Sequence, residues 1–374
     1  MNILHIIRDL EPGTGGPVAA TIALSQMQKQ AGHNVTILTI SRDEIGTSDQ
    51  NGVCVIRLQS RFWKWRYSAE FYSVATKEID EADIVHVHTV WEHTTYAAAK
   101  ICHKLGKPFV LRPCGMLDEW SMKQGGAFKR IYYKFVGVGI IAQAALINFA
   151  SKGEQESSQL YINEATSFVL PNPVNVVYQE LLELNTDNRN VPKILFVGRL
   201  HPHKQIELII EAIEQLHKKG RNVTLQLAGD GEEEYKQSLI EKVKKSNLTS
   251  AVQWLGAVNI TGLKQLYRQA YCLVLPSMHE NFGNVLCEAM SQACPVIVSK
   301  GVHIHKDVSS AKTGMVINDN SVSLTNAIET MLEHEKDHDE MSQNARIYAE
   351  ENYFTGIVNS KLIAHYKTVM SQGH

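Results

Sequence analysis

Residues Tyr271 to Ser299 read YCLVLPSMHENFGNVLCEAMSQACPVIVS. Two short apolar runs, YCLVLP and PVIVS, enclose a segment with helical character, GNVLCEAMSQA. Apolar runs of this length without polar alternation indicate strands buried on both faces, and a helix between two such strands is the crossover of a parallel βαβ unit. The stretch therefore predicts an α/β fold with a parallel sheet.

The same alternation of apolar strands and amphipathic helices runs through the chain in two series. It stops at residues 171–192, a polar segment with three prolines, and then restarts with KILFVGR. A segment of this composition is typical of a linker between domains. We expect two doubly wound, Rossmann-like domains, and the cleft expected between them is the default active site.

Composition describes an ordinary globular protein of 374 residues with a formal net charge of −2. No global field favours nucleic acid, so no nucleic-acid partner is expected. Six cysteines form no C-x-x-C pair, and no basic segment with a cleavage site precedes the first strand. We therefore expect reduced thiols and a cytoplasmic location.

The longest apolar run, FVGVGIIAQAALINFA at 135–150, is too short to span a bilayer and contains Gln143 and Asn148. We expect a buried helix that leads into a strand. The basic and aromatic run FKRIYYKF at 128–135 leaves open a peripheral contact with the inner face of the plasma membrane.

Two carboxylates, Glu280 and Glu288, lie in the opening stretch on either side of a predicted helix start. The first follows a strand, and the second lies about one turn inside the helix. Unpaired amides at the helix start suit a phosphate, and carboxylates suit sugar and ribose hydroxyls. The arrangement favours a sugar nucleotide over the alternative of a loop charge and a solvated helix face.

The interval of seven residues between these glutamates, together with the strand PVIVS, resembles the E-x7-E motif of retaining glycosyltransferases of family 4, which have the GT-B fold. The resemblance implies that Glu280 holds the hexose of a UDP-sugar and Glu288 the ribose. It also implies donor contacts from the segment between them: Asn281, Phe282, Gly283, Asn284 and Val285.

A pair of cations, Arg199 and Lys204, follows the strand in FVGRLHPHKQIELIIEAI. Two cations at the carboxyl end of a strand can neutralise a diphosphate and stabilise it as a leaving group. The run resembles the family signature G-R-L…K-G, except that Gln205 replaces a glycine, and we expect this to alter the turn. By resemblance, the backbone near Val258 holds the base.

The first half carries the glycine-rich loop EPGTGGPVAA, with Gly13, Gly15 and Gly16. Val18 stands where a dinucleotide fingerprint requires its third glycine, so that motif fails. The loop instead resembles the family's first loop, which faces the donor phosphates through Gly16. A flexible surface loop is the alternative.

Histidines in IVHVHTVWEH, His86 and His88, alternate along a strand and point the same way. A metal site would need a third ligand, and none is obvious. The resemblance instead places His88 and Trp91 on the acceptor side of the cleft, and His86 is equally a core residue. RPCGMLDEWSM resembles a segment of bacterial polysaccharide transferases, which makes Asp118 and Trp120 acceptor-side candidates. Cys114 stands where many relatives have histidine or arginine.

The metal signature of the other large transferase fold, D-x-D, occurs at Asp337–Asp339 in a charged helical stretch. Residues i and i+2 do not share a helix face, so we interpret it as a solvated face and expect no metal.

By resemblance, the terminal helices cross back to the first domain. We therefore expect an acceptor-side domain at 1–172 plus about 358–374, a linker at 173–192 and a nucleotide-sugar domain at 193–357.

Taken together, these features predict a retaining hexosyltransferase that uses a UDP-hexose, with glucose the first choice, and a polysaccharide or lipid-linked oligosaccharide acceptor. No cofactor is expected. A sugar-nucleotide epimerase on the same fold and a catalytically inactive binding protein remain alternatives. A glycosidase would place two carboxylates on either side of the bond, whereas here one follows a strand and the other lies in a helix.

Overall fold

A computed structural model describes residues 1–11, 15–60, 67–124, 126–174 and 191–371. The chain divides into two compact units, Met1–Pro173 with Thr355–His374, and Val174–Phe354. Most of the expected linker, residues 175–190, lies outside the described residues.

The first unit is built on a sheet of strand order β3-β4-β2-β1-β5-β6-β7-β8 within the described residues. All neighbours are parallel except β3, which runs antiparallel to β4. The strands are β1 (Asn2–Ile6), β2 (Asn34–Ser41), β3 (Gly46–Gln50), β4 (Val53–Gln59), β5 (Ile84–His88), β6 (Phe109–Arg112), β7 (Leu146–Phe149) and β8 (Ser167–Val169).

Helices of the first unit connect these strands, because parallel neighbours need a crossover connection. They are α1 (Gly16–Gln30), α2 (Phe71–Glu81), α3 (His93–Leu105), α4 (Glu119–Gln124), α5 (Gly126–Tyr132), α6 (Val138–Gln143) and α7 (Lys152–Ile162). A π-helical turn, Tyr133–Gly137, joins α5 to α6.

The second unit has an all-parallel sheet of order β11-β10-β9-β12-β13-β14 within the described residues. Its strands are β9 (Lys193–Val197), β10 (Thr224–Ala228), β11 (Val252–Gly256), β12 (Cys272–Leu275), β13 (Val296–Ser299) and β14 (Gly314–Ile317). Its helices are α8 (Ile206–Lys218), α9 (Glu233–Lys245), α10 (Ile260–Gln269), α11 (Asn284–Ser291), α12 (His305–Ser310), α13 (Ser321–Glu333) and α14 (Glu335–Tyr353). This is the Rossmann strand order.

The last helix, α15 (Thr355–Ser371), belongs to the first unit. Its buried residues Leu362 and Tyr366 pack in one apolar cluster with Ile3 of β1, Ile84 of β5 and Val110 of β6. The last helix thus lies on the sheet of the first unit, and it begins at Thr355 where the expected boundary is about 358.

The expected pair of doubly wound α/β domains is confirmed, with differences in detail. Two strands were not predicted: β3, whose five residues GTSDQ are all exposed, and the edge strand β14. Neither follows the pattern of a strand buried on both faces. The expected buried helix at 135–150 is wrong in part, because α6 buries Ile140 and Ile141 while Phe135 is 76% exposed.

Candidate donor site and the polar centre of the first unit

The candidate donor site of the second unit lies where its strand order reverses, between the neighbouring strands β9 and β12. Loops that leave a doubly wound sheet at this point diverge and open a crevice for ligands. The loop after β9 carries Arg199 and Lys204, and the loop after β12 carries Glu280. A hydrogen bond from the Met278 amide to the His203 carbonyl oxygen (2.9 Å) joins the two loops.

Glycines shape the loop after β9. A Cβ atom at Gly229 would lie 1.9 Å from the Gly198 carbonyl oxygen, and one at Gly231 would lie 2.1 Å from that of Leu200. Only glycine permits so close an approach of two backbones. The loop is therefore packed against the chain that leaves β10, and Arg199 remains exposed.

The central contact of the site is an ion pair in which the Lys204 ammonium donates to Glu280 Oε2. Lys204 ends a single 3₁₀ turn, Pro202–Lys204, and both charged side chains are about four-fifths buried, with 23% and 22% exposed. The pair joins residues that lie 76 positions apart in the chain. The pair brings two of the predicted donor residues into contact, and their roles stay predictions.

Gln205 replaces the glycine of the family signature without changing the turn that glycine favours. Its backbone is left-handed (φ 52°, ψ 44°), and it forms the first position before α8. A non-glycine residue in this region costs about 1–2 kcal/mol. Glutamine at this position therefore introduces backbone strain beside Lys204. The expected change of the turn is not seen, because Gln205 adopts the left-handed conformation that glycine favours.

Arg199 is the second cation of the site. No carboxylate within the described part of the chain pairs with it. Burial, followed by the positive charge of Arg199, lowers the pKa of the neighbouring His201 imidazole. Because Lys204 is paired with Glu280, Arg199 is the cation of these two loops that is exposed without a carboxylate partner among the described residues, and such a guanidinium suits an anionic ligand.

The backbone of Glu280 is fixed from both sides. Its amide donates to the Gly301 carbonyl oxygen (3.0 Å), and its carbonyl oxygen accepts from the His303 amide (3.0 Å). A Cβ atom at Gly301 would lie 2.2 Å from the Met278 carbonyl oxygen, so this contact again requires glycine. The loop after β13 thus holds the carboxylate at a set position.

Helix α11 begins at Asn284, as the sequence predicts. Gly283 precedes it in the left-handed conformation (φ 75°, ψ 67°), and no side chain caps the helix. A β-carbon at this residue would also crowd Leu286 (3.0 Å) and Leu275 (3.3 Å). Phe282 is buried, while Asn281, Asn284 and Val285 are partly exposed beside the helix end. The uncapped end leaves main-chain donors and a positive dipole.

Glu288 lies one turn inside α11 and receives a hydrogen bond from the Tyr267 hydroxyl group (2.7 Å). Burial raises the pKa of the Glu288 carboxyl group, and the Tyr267 hydrogen bond opposes that shift. The same burial and the nearby carboxylate raise the pKa of Tyr267. The Glu288 side chain is thus largely buried and hydrogen-bonded, which differs from the alternative of a glutamate on a solvated helix face.

Val258 follows β11 and directly precedes the helix cap Asn259, whose side-chain oxygen accepts from the Gly262 amide (2.9 Å). Its backbone is therefore fixed by the start of α10. Whether that backbone holds a base stays a prediction.

In the first unit, α1 begins at Gly16 after Gly15, which is left-handed (φ 96°) and provides no side-chain cap. The first turn contains Pro17 and has no acidic residue. A Cβ atom at Gly16 would meet nothing within 4 Å, so the space beside it is open. Its predicted role towards donor phosphates stays a prediction, and Gly13 lies outside the described residues.

A polar cluster fills the centre of the first unit. His5 bonds through Nδ1 to His88 Nε2 (2.9 Å) and through Nε2 to Gln28 Oε1 (2.7 Å), and His86 Nδ1 bonds to the Tyr366 hydroxyl group (2.6 Å). The Gln28 amide in turn donates to the Tyr366 hydroxyl oxygen (3.2 Å). These bonds connect β1, β5, α1 and α15.

Burial lowers the pKa of all three imidazoles, for His5 to about 4. They are therefore neutral at pH 7, and each offers a nitrogen within 4.8 Å of the others. The third imidazole, which the motif IVHVHTVWEH does not contain, is that of His5, which pairs in register with His86 on the neighbouring strand. A divalent metal could be held here, although the hydrogen bonds already engage His5, His86 and His88.

Arg112 lies fully buried at the end of β6. It donates to Asn148 Oδ1, to Asn172 Oδ1 (2.6 Å) and to the Leu170 carbonyl oxygen (3.3 Å). Among the described residues, it has no carboxylate partner. Its charge also contributes to the lowered pKa of the buried imidazoles. The guanidinium binds the carboxyl ends of β6, β7 and β8 together.

The other acceptor-side candidates lie in different environments. His88 is buried in the polar cluster, and Trp91 packs against the Lys129 ammonium (5.0 Å from the ring centre). Asp118 accepts from the Ser121 amide (2.5 Å) and so stabilises the start of α4, while Trp120 is partly exposed. Their acceptor-side role stays a prediction.

Cys114 has a left-handed backbone (φ 56°), and burial raises the pKa of its thiol to about 12. It is therefore a neutral thiol at pH 7 and a poor nucleophile.

The D-x-D run lies inside α14, where Asp337 is exposed. His338 between the two acids stacks on the Tyr271 ring, with 4.0 Å between the ring centroids, and its Nε2 bonds to the Tyr271 carbonyl oxygen (2.8 Å). This placement agrees with a solvated helix face.

No helix within the described ranges has both the length and the apolar character needed to cross a lipid bilayer.

Two family models together match almost the whole chain. One, described as Glycosyltransferase Family 4, matches residues 14–178, and the other, Glycosyl transferases group 1, matches residues 180–348. An uncharacterized glycosyltransferase of Methanocaldococcus jannaschii is 26% identical over 306 residues, which are 76% of each chain.

Solved structures share the fold. The crystal structure of HepE from Anabaena in complex with UDP has a TM-score of 0.80 at 18% identity and covers 98% of this chain and 100% of its own. HepE has also been solved with UDP-glucose. WaaG, a glycosyltransferase involved in lipopolysaccharide biosynthesis, has a TM-score of 0.70 at 17% identity and covers 96% and 98%.

The fold and the matches define a glycosyltransferase with the GT-B fold. The chain belongs to glycosyltransferase family 4.

Proposed function

We propose that this protein transfers a hexose, with glucose the first choice, from a UDP-sugar to a hydroxyl group of a polysaccharide or lipid-linked oligosaccharide, with retention of the anomeric configuration. The observation that carries the proposal is the ion pair between Lys204 and Glu280 at the strand ends of the second unit. It brings together a cation suited to a phosphate and a carboxylate suited to sugar hydroxyls.

The diphosphate of the donor is proposed to bind Arg199 and Lys204. Arg199 is exposed and has no carboxylate partner among the described residues, and the uncapped start of α11 adds main-chain donors. Charge-assisted hydrogen bonds from such groups are short and strong with phosphate oxygens. In the reaction they would stabilise the negative charge that develops on the departing UDP.

When the donor binds, the Lys204 ammonium and the Glu280 carboxylate would each exchange the other for a group of the donor. A diphosphate that takes the Lys204 ammonium releases Glu280, whose carboxylate then accepts from hexose hydroxyl groups. Because the backbone of Glu280 is fixed at both its amide and its carbonyl group, the carboxylate stays beside the reacting carbon.

Glu288 is proposed to bind the ribose hydroxyl groups. Its neighbour Tyr267 orients the carboxyl group by a hydrogen bond of 2.7 Å. A buried carboxyl group that accepts from a ribose diol recovers part of the solvation that it loses on burial. The HepE structures with UDP and UDP-glucose support this choice of nucleotide and hexose by analogy of fold.

In the proposed mechanism the acceptor hydroxyl group attacks the anomeric carbon on the face from which UDP departs, which retains the configuration. In the proposed reaction the bond between the anomeric carbon and the phosphate oxygen breaks as the new glycosidic bond forms. The acceptor's proton passes to the departing phosphate, so no separate base is needed. Arg199 and Lys204 take the role that a divalent metal has in other transferases. The fold-level likeness to WaaG supports a cell-surface saccharide as acceptor.

The test is to incubate the protein with UDP-hexoses and candidate saccharide acceptors and to analyse the product by NMR. Transfer that gives a product with the donor's anomeric configuration supports the proposal. Isomerised UDP-sugar without transfer would indicate the epimerase alternative, and ligand binding without turnover would indicate an inactive binding protein. A thermal-shift screen of nucleotide sugars identifies the donor first, since a ligand of the native state raises the melting temperature.

A further inference from the structure

An unusual helix face lies in the first unit, on the continuous helical segment formed by α5, the π-helical turn and α6. Four solvent-facing side chains, Arg130, Ile131, Lys134 and Phe135, define what we call the α5–α6 face. Ile131 is 56% exposed and Phe135 is 76% exposed. The four occupy positions i, i+1, i+4 and i+5, which share one side of a helix.

The apolar side chains of this face are not displaced core residues, because the opposite side of the segment is already packed. Ile140 and Ile141 are buried there, and the Tyr133 hydroxyl group donates to the Tyr161 carbonyl oxygen (2.7 Å). The π-helical turn brings the Tyr133 ring within 3.0 Å of a Cβ position on Gly137. Solvent-facing positions of an ordinary amphipathic helix carry polar residues, so a large exposed phenylalanine requires another explanation.

The charge of the face has one sign. The sequence contains no Asp or Glu from residue 120 to residue 153, although the whole chain has a net charge of −2. Within the part of the chain that the structure describes, neither Arg130 nor Lys134 pairs with a carboxylate. Lys129 is turned inward, where its ammonium donates to the Ser121 carbonyl oxygen (2.7 Å).

A surface that combines two unpaired cations with two protruding apolar side chains is complementary to an anionic lipid bilayer. Headgroup phosphates pair with the cations, and the isoleucine and phenylalanine enter the boundary between headgroups and acyl chains. Nucleic acid would use the cations and leave the apolar pair in water. An acidic protein would not require an exposed phenylalanine beside the charges.

We propose that the α5–α6 face docks the protein reversibly on an anionic membrane surface. The binding follows from the face alone, whereas its purpose, to bring the enzyme to a lipid-linked acceptor, rests on the proposed function. The two can therefore fail separately.

The experiment measures co-sedimentation of the full chain with vesicles of phosphatidylglycerol and phosphatidylcholine in equal parts, and with vesicles of phosphatidylcholine alone. We expect binding to the anionic vesicles, little binding to the neutral ones, and weaker binding as salt screens the cations. No association of the wild-type chain with anionic vesicles would overturn the proposal.

Two double variants locate the surface. Arg130→Gln/Lys134→Gln removes both charges and should lower the partition coefficient about thirtyfold. Ile131→Ser/Phe135→Ser should lower it at least as far, with a smaller dependence on charge. The matched controls are Lys244→Gln/Lys336→Gln for the charges and Val322→Ser/Ile347→Ser for the apolar pair, all exposed in the second unit.

Controls that bind like wild type, together with weakened face variants, support the proposal. Face variants that bind as well as wild type would overturn it, as would an equal loss in the controls. Retention of the wild type on immobilised polyglutamate without vesicle binding would assign the face to an acidic protein and also overturn it. Circular dichroism shows that each variant is folded, and transfer to a soluble acceptor should not change in any of them.

Discussion

Both units concentrate titratable side chains on the strands that flank a reversal of strand order, but the two sets occupy different environments. In the first unit, His5 and His86 lie within β1 and β5, are fully buried and are held neutral. In the second unit, Arg199, Lys204 and Glu280 lie beyond the ends of β9 and β12 and remain partly exposed. The same topological position thus holds a neutral network in one unit and charged groups in the other.

The difference is one of solvation. A group inside a strand loses its water on folding, so an imidazole stays neutral and finds hydrogen-bond partners. A group in the loop after the strand keeps part of its water and its charge, and remains available to a ligand. In this protein, position relative to the strand end, and not residue type alone, separates the buried neutral groups from the charged, partly exposed ones.

The largest expected effect is on the buried side of this comparison. Arg112→Met removes the donor to two buried acceptors, Asn148 Oδ1 and the Leu170 carbonyl oxygen, and one hydrogen bond of Asn172. Each acceptor that loses its donor costs about 1–3 kcal/mol, so for the two acceptors we expect the free energy of unfolding to fall by about 2–6 kcal/mol. Urea unfolding measures it. The exposed Arg221→Met, whose partners are surface glutamates, should cost no more than about 1 kcal/mol. Equal effects would remove the distinction between buried and exposed cations.

On the ligand side, Lys204→Ala and Arg199→Ala should each lower kcat by about 10²–10³, because a preorganised charge on a leaving group contributes about 2.7–4 kcal/mol. Steady-state kinetics measures the loss, and an unchanged circular dichroism spectrum shows that the fold survives. Lys218→Ala, on the exposed side of α8, is the control and should retain activity. Full activity of both site variants would disprove the proposed role of the cations.

The buried imidazoles should make the stability of the first unit depend on pH. The pKa of His5 is about 4 in the folded chain and 6.5 without the fold, so between these pH values the unfolded state binds more protons. Stability is therefore greatest above pH 6.5 and falls as the pH drops towards 4, by on the order of 3 kcal/mol for this residue.

Hydrogen exchange of the β1 and β5 amides between pH 4 and 7, corrected for the intrinsic pH dependence of exchange, measures this loss. His5→Gln should flatten the dependence, whereas the exposed His103→Gln should leave it unchanged. A flat profile in the wild type would contradict the neutral network.

A smaller effect separates the two glutamates. Glu288→Ala should weaken UDP by about 1.5–3 kcal/mol, since it removes a charged acceptor of the ribose. Glu280→Ala should bind UDP at least as tightly as wild type, because it frees Lys204 for the diphosphate, but should lower kcat and the discrimination among hexoses. Calorimetry measures both. Equal losses of UDP affinity would show that the two carboxylates act only through the local fold.

The smallest expected effect is that of metal removal. Since the proposed reaction uses Arg199 and Lys204 on the phosphates, EDTA should leave turnover unchanged, and added Mg²⁺ or Mn²⁺ should not raise it. An absolute need for a divalent ion would contradict this role. Metal analysis of the purified protein tests the buried imidazoles at the same time.

Sequence patterns were sufficient for the features that depend on local chemistry. Non-alternating apolar runs predicted the parallel strands, and Gly283 before a helical run predicted the start of α11, because only a few residue types adopt a left-handed backbone easily. The same patterns predicted that Arg199, Lys204 and Glu280 follow strands and that Glu288 lies about one turn inside a helix. The exposed strand β3 was not predicted, because a strand at a sheet edge can pair through its backbone without buried side chains and so shows no apolar pattern.

What the sequence by itself determined was the α/β class, the two series of strands and the family motifs, because periodicity and local backbone preference are properties of neighbouring residues. Only the tertiary structure decided that His5 joins His86 and His88, that Lys204 pairs with Glu280, and that Phe135 faces solvent. These facts depend on which strands become neighbours and on which side of a helix is covered. Contacts between residues far apart in the chain are set by packing, and no local pattern records them.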